Sequence, residues 1–230
     1  MPRKARVLLP NYPHHIVQRG HNRNTVFVAD EDYQYYLDNL CEWKEKLGIK
    51  LFAWCLMTNH IHLLVEPGND ARDLSELMKR LAGRQTAYVN KLEKRSGSLW
   101  EGRFKISPVQ RDEYLLACCR YIELNPVRAK MVEHPRHYIW SSYNERMGIK
   151  DAHMLDLDCM YLGLAATKSL RIERYNNYIS EAISAHEMVF LKQAYSRNQL
   201  TGNARFIDEV ERRIGLRIEA RGRGKPKRYN

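Results

Sequence analysis

Along the first part of the chain, apolar and polar positions alternate with a period of two. Over residues 12–19 this predicts a strand with His15, Val17 and Arg19 on one face, and Gly20 to Asn24 supplies turn chemistry after it. The period then lengthens. Tyr33, Tyr36, Leu37, Leu40, Trp43 and Leu47 recur at helical spacing behind the acidic opening Asp30-Glu31-Asp32, and Gly48 ends that helix. Residues 49–57 form an almost unbroken apolar run, as expected of a strand covered on both faces or central in a sheet. Thr58-Asn59 then turns the chain into a second strand, with His60 and His62 on one face and Ile61, Leu63 and Val65 on the other. Asp70 can cap a second helix, whose buried stripe is Leu74, Leu77, Met78, Leu81, Gln85, Tyr88, Val89 and Leu92. Residues 96–102 break it, and 103–109 are extended enough for a fourth strand.

The order strand, helix, strand, strand, helix, strand predicts an α+β fold. It is the ferredoxin-like antiparallel sheet with helices on one face, the other face being left free for the two histidines. A further helix opens at Asp112 and carries Tyr114, Leu115, Ala117, Cys118, Tyr121, Ile122 and Leu124. Pro126 disfavours helical geometry in the residue before it and so places Asn125 at the helix end. Glu123, on a different face of this helix, reads as a surface carboxylate. Residues 133–143 look like a segment wrapping back on the domain. Tyr161 and Leu162, Leu170 to Ile183, Met188 to Tyr195, and a stretch from Thr201-Gly202-Asn203 to Ile214 predict a helical C-terminal extension. The domain plan is a main unit over 1–145, a helical binding or accessory region over 146–214, and a basic tail over 215–230.

Charge narrows the partners. The 230 residues hold 38 Lys+Arg against 27 Asp+Glu, a net charge of +11 and a pI near 9.5. That balance favours a polyanion, nucleic acid first. With 44% hydrophobic residues and a mean hydropathy of −0.59, the chain can build a core beneath a heavily charged surface. No run of about 18 uncharged apolar residues predicts a membrane span, and the charged N-terminus has no apolar segment behind it to read as a secretory signal. Five cysteines, odd in number and without zinc spacing, read as reduced thiols of a cytoplasmic protein. Candidate DNA contacts are Arg19, Arg103, Lys105 and Arg128, together with Lys79, Arg80 and Arg84 off the apolar stripe of the second helix. The tail adds Arg221, Arg223 and Lys225 in a stretch that resembles an AT-hook, with Gly224 where the usual core has proline.

The candidate chemistry lies in two places. On a strand, His60 and His62 stand roughly 6 to 7 Å apart, a spacing that suits one divalent metal, or equally two imidazoles on a wet strand face. Tyr121 and Asn125, four apart on a helix, share one of its faces. Taken singly, they read as a buried tyrosine and a helix cap.

Together, His60-Ile61-His62 and Tyr121-Ile122-Glu123-Leu124-Asn125-Pro126-Val127-Arg128-Ala129 resemble the HUH single-strand endonucleases, and more narrowly the single-tyrosine transposases and their repetitive-palindrome-associated (REP) relatives. Residues 55–66, 73–81, 97–105 and Trp140-Ser141-Ser142-Tyr143 support the likeness, which covers roughly residues 10 to 145. The resemblance implies a metal-dependent, site-specific single-stranded DNA endonuclease and strand transferase that acts beside DNA hairpins, as a monomer or homodimer. It implies Tyr121 as the nucleophile of a 5′-phosphotyrosine intermediate, and Mg²⁺ or Mn²⁺ held by His60, His62 and Asn125, where many relatives carry Gln at the last position. Tyr114, seven residues earlier, is a rival nucleophile that lacks the Asn four residues on. Two other readings stand beside this one: a domesticated, non-catalytic DNA-binding protein, and a replication initiator or relaxase-like nickase. The latter is disfavoured because there is no helicase segment and no second tyrosine four residues from Tyr121.

Overall fold

The computed structural model describes residues 6–151, 154–181 and 183–218. Four strands, β1 (His14–Arg19), β2 (Lys50–Met57), β3 (His60–Glu66) and β4 (Lys105–Pro108), make one sheet in the order β2-β3-β1-β4, with every neighbouring pair antiparallel. Helices α1 (Asp30–Lys46) and α2 (Asp73–Leu92) connect them, which gives the ferredoxin-like arrangement expected from the order of elements.

Local chemistry sets the ends of these elements. The Asp32 carboxylate accepts from the backbone N–H groups of Val28 (2.7 Å) and Ala29 (3.0 Å), giving partners to donors just ahead of α1. Gly48, at φ +61°, takes the left-handed turn beyond that helix without a Cβ penalty. Gly20 is required for space, since a Cβ there would lie 2.3 Å from the Asn24 carbonyl oxygen. Asp70 does not cap α2. It binds the backbone and guanidinium of Arg72, and the helix starts after that turn.

Strand alternation sorts the core into two layers. Ile16, Leu51, Trp54, Leu56, Ile61, Leu63, Val65 and Ile106 pack under α1 and α2. The second face, expected to be free, is covered as well. Val17, Phe52, Ala53, Cys55, Met57 and Leu64 pack against α3 (Arg111–Glu123) and helices that follow it. The cause is β2, whose apolar run presents large side chains on both faces, each worth about 2 kcal/mol when removed from water. After α3 come α4 (Asn125–Arg128), α5 (Tyr143–Arg146), α6 (Cys159–Leu162), α7 (Lys168–Ser180), α8 (Ala185–Arg197) and α9 (Ala204–Ile214). Asn203 caps α9, its side chain accepting from Phe206 N–H.

Glu123 is not a surface carboxylate. It is fully buried and accepts from Ser142 Oγ (2.6 Å), Arg146 Nε (2.9 Å) and Tyr175 Oη (2.8 Å), tying α3 to α5 and α7. Its face of α3 meets helices that sequence periodicity gave no reason to place there.

Both outer strands of the sheet are covered by later segments. Along β2, Leu56 N–H donates to Trp140 C=O (2.9 Å) and Ser142 N–H to Trp54 C=O (2.9 Å). Along β4, Ile106 N–H donates to Asn198 Oδ1 (3.0 Å) and Thr201 N–H to Pro108 C=O (2.8 Å). All five cysteines are free, and Cys55, Cys118 and Cys119 are buried. Among the described residues no helix is long and apolar enough to cross a membrane. The tail residues Arg221, Arg223 and Lys225 lie outside the described residues.

His14 makes the fold acid-sensitive. Its ring is fully buried, with Nδ1 against Tyr12 C=O (2.7 Å) and Nε2 accepting from Leu9 N–H (3.1 Å), a pairing that suits only the neutral form. Burial, opposed by the Tyr12 bond, lowers its pKa to about 4. The unfolded chain therefore binds a proton between the ordinary histidine value and about 4 that the folded chain refuses. Stability is whole above that window and falls as pH drops through it, by roughly 3 kcal/mol from this group. Urea midpoints measured across that range should decline with acidity, and His14→Gln should flatten the decline.

Candidate active site

The β1–β3 register sets Val17 opposite His62 and Arg19 opposite His60. By alternation, His15 then lies diagonally from His62 on the same face, close enough for its Nε2 to sit 2.9 Å from His62 Nδ1. The two rings stack with centroids 5.2 Å apart. His60 is tied in the same way. Its Nδ1 meets Asn59 Oδ1 at 2.6 Å, and the Asn59 amide is oriented by its own bond to Arg23 C=O. Each imidazole of the pair is thus engaged through Nδ1 and keeps Nε2, and the ring centroids are 5.1 Å apart. Burial first, and then neighbouring Arg19, lowers the pKa of His60 to about 4. Burial and the surrounding His60, His15 and arginines push that of His62 well down. At neutral pH both are uncharged, the form in which an imidazole ligates a metal.

Tyr121 comes to this pair from α3. Its ring centroid lies 6.0 Å from that of His62 and 5.8 Å from that of His15. Asn125 opens α4 one turn later and lines the same pocket, its Nδ2 buried without a partner among the described residues. Arg128 lays its guanidinium over the Tyr121 ring, Cζ 3.8 Å from the centroid, and keeps a buried Nη1 unpartnered among the described residues. The pocket is about 430 Å³. Arg19 is in its wall, while Arg103 and Lys105 line a neighbouring cleft.

Other candidates lie elsewhere. Tyr114 packs on Phe190, with centroids 5.3 Å apart, and does not reach the pocket. Lys79 and Arg80 pair with Glu76, and Arg84 with Glu42, on the α2 side of the molecule. None of the three lines the pocket.

Two contributors escaped the reading of the sequence. His15 was placed on the same strand face as Arg19, and strand order alone would have set it beside His62. Tyr195 gave no such signal. It arrives from α8, 5.0 Å from the His15 ring and 5.9 Å from that of His62, with centroid 6.5 Å from Tyr121. Met188, Val189 and Lys192 of the same helix complete the wall. A second tyrosine is therefore present at the site, brought by packing and not by the four-residue spacing that sequence inspection tests.

Among the described residues no group of three or more His, Cys, Asp or Glu side chains could hold a metal ion.

Comparison with known proteins bears on the family and the fold. A family model described as "Transposase IS200 like" matches residues 9–125. A Haemophilus influenzae protein named as a REP-associated tyrosine transposase is 25% identical over 156 residues, 59% of this chain and 86% of that protein. A solved structure of a REP-associated tyrosine transposase bound to a REP hairpin superposes with a TM-score of 0.56 at 17% identity, covering 69% of this chain and 93% of the other, which shows a shared fold. The matched segment runs from just before β1 to the Asn125 that follows the tyrosine helix, and the chain belongs to the IS200-like transposase family, a family of DNA endonucleases that act as transposases.

Proposed function

We propose that this transposase cuts and rejoins single-stranded DNA beside hairpins, in a metal-dependent reaction in which Tyr121 forms a 5′-phosphotyrosine. The observation that carries the reading is the convergence of His60, His62, Tyr121, Asn125 and Arg128 on one pocket within one chain. The tyrosine Oη gives up its proton and attacks phosphorus, an Oη–P bond forms, the P–O3′ bond breaks, and the 3′ oxygen leaves and takes up a proton to become a hydroxyl. Since the new ester keeps the energy of the broken one, a 3′-hydroxyl can reverse the step and join strands without ATP.

The donor set fits a hard divalent cation: two neutral imidazoles with Nε2 available and one amide oxygen. His60, His62 and Asn125 would hold Mg²⁺ or Mn²⁺, which when bound supplies a Lewis acid for the scissile phosphate. The remaining work belongs to the protein. Arg128 offers its unpartnered Nη1 to a phosphate oxygen, and Arg19 lines the same pocket. The hairpin in the structurally similar transposase supports a hairpin substrate here.

The test is incubation of labelled hairpin-flanked single strands with the protein and Mg²⁺ or Mn²⁺, followed by a denaturing gel. A covalent protein–DNA adduct is expected, and a chelator should remove it. His60→Ala should reduce it by roughly a hundredfold or more, beyond the 10–100-fold typical of a lost supporting contact. DNA binding without any adduct in the wild type would favour a non-catalytic binder.

A further inference from the structure

Next to the catalytic pocket lies a second cleft, of about 590 Å³, walled by Arg6, Arg19, Glu101, Arg103, Phe104 and Tyr195. The two spaces share Arg19 and Tyr195 and so adjoin each other. With Lys105 the cleft carries four cations against the single carboxylate of Glu101. Arg6 is held in an unusual pose. Its Nε donates to Phe104 C=O (3.2 Å), its guanidinium lies 3.7 Å over the Phe104 ring, and its Nη2 is buried with no partner among the described residues. Burial, and after it the Arg103 charge, lowers the Arg6 pKa to about 10.

A flat cation backed by an aromatic ring is a surface on which a nucleobase stacks, and the Arg103 and Arg19 side chains that line the same cleft suit a phosphate. Glu101 can accept from the amino or imino edge of a base. Asn198, its Oδ1 taken by Ile106 N–H, also faces the cleft. Its α8 side, Tyr195, Ser196 and Asn198, comes from beyond residues 9–125, so this wall lies outside the part of the chain that the family model matches.

We propose that the cleft binds the unpaired nucleotide adjoining the scissile phosphate, with its base stacked on the Arg6 guanidinium and its phosphate held by Arg103 and Arg19. The proposal rests on the reading of single-stranded DNA as substrate. It is tested with the full chain and a short fluorescein-labelled oligothymidylate, by anisotropy at physiological salt. Arg6→Ala should weaken binding about tenfold, within the range measured for the loss of one stacked base, and Arg103→Ala several-fold. Lys168→Ala, which removes an exposed cation on α7, is the control for net charge. Arg6→Lys keeps the charge and loses the plane, so it should fall with Arg6→Ala. If Arg6→Lys binds like the wild type, stacking is overturned. If Arg6→Ala and Arg103→Ala match the Lys168→Ala control, the cleft is overturned, while the adduct assay still stands or falls on its own. Loss of oligothymidylate binding in the cleft variants of a wild type that forms no adduct would leave the cleft proposal intact and sink the strand-transfer chemistry.

Discussion

Tyr121→Phe is expected to abolish the protein–DNA adduct while leaving DNA affinity within about twofold of the wild type. The substitution removes one oxygen and keeps the ring, so the Arg128 contact at 3.8 Å and the edge contacts with His15 and His62 survive. Lost activity then reports the nucleophile and not the fold. Two other phenols serve as controls. Tyr114→Phe should leave the adduct at wild-type yield, because that ring faces Phe190 outside the pocket. Tyr195 is the sterner control, since its ring is as close to His62 as that of Tyr121. Burial, and then the neighbouring Tyr121, raises the Tyr195 pKa well above the usual phenol value. Tyr195→Phe should slow adduct formation without removing it. Abolition by Tyr195→Phe or Tyr114→Phe, with Tyr121→Phe still active, would move the nucleophile.

Glu123→Gln should be among the most destabilising single changes in the chain. The carboxylate is fully buried, and so nearly is its partner Arg146, whose guanidinium also reaches Phe52 C=O. Burial disfavours the Arg146 charge, and Glu123 more than offsets this. Removing the anion leaves a cation deep in the second core layer, which costs about 3–5 kcal/mol. For a chain of this size that is a fall in Tm of roughly 10 °C. Differential scanning calorimetry measures it. Glu123→Leu combined with Arg146→Met should recover much of the loss, since a buried pair replaced by apolar side chains is often neutral. If the single change left Tm unaltered, the network would not hold α3 to α5 and α7 as described.

The contrast between these residues shows what a sequence can convey. The sheet was legible because period-two alternation in 12–19 and 60–66, with helices between, admits few topologies. The grouping of His60, His62, Tyr121 and Asn125 was legible through an ordered set of motifs, and the structure does bring these four side chains to one pocket. Glu123 was misread because helical periodicity gives a face but not what covers it. The cover comes from Arg146 and Tyr175, 23 and 52 residues away. Tyr195 was invisible for the same reason. The free second face was an error with a visible warning, since the apolar run of β2 already called for cover on both sides.

The closed sheet margins carry one more consequence. With Trp140 and Ser142 laid along β2, and Asn198 and Thr201 along β4, the outward backbone groups that could template another chain are already occupied. Among the described residues, strand addition from a second copy or a growing fibril finds no open rim to start from.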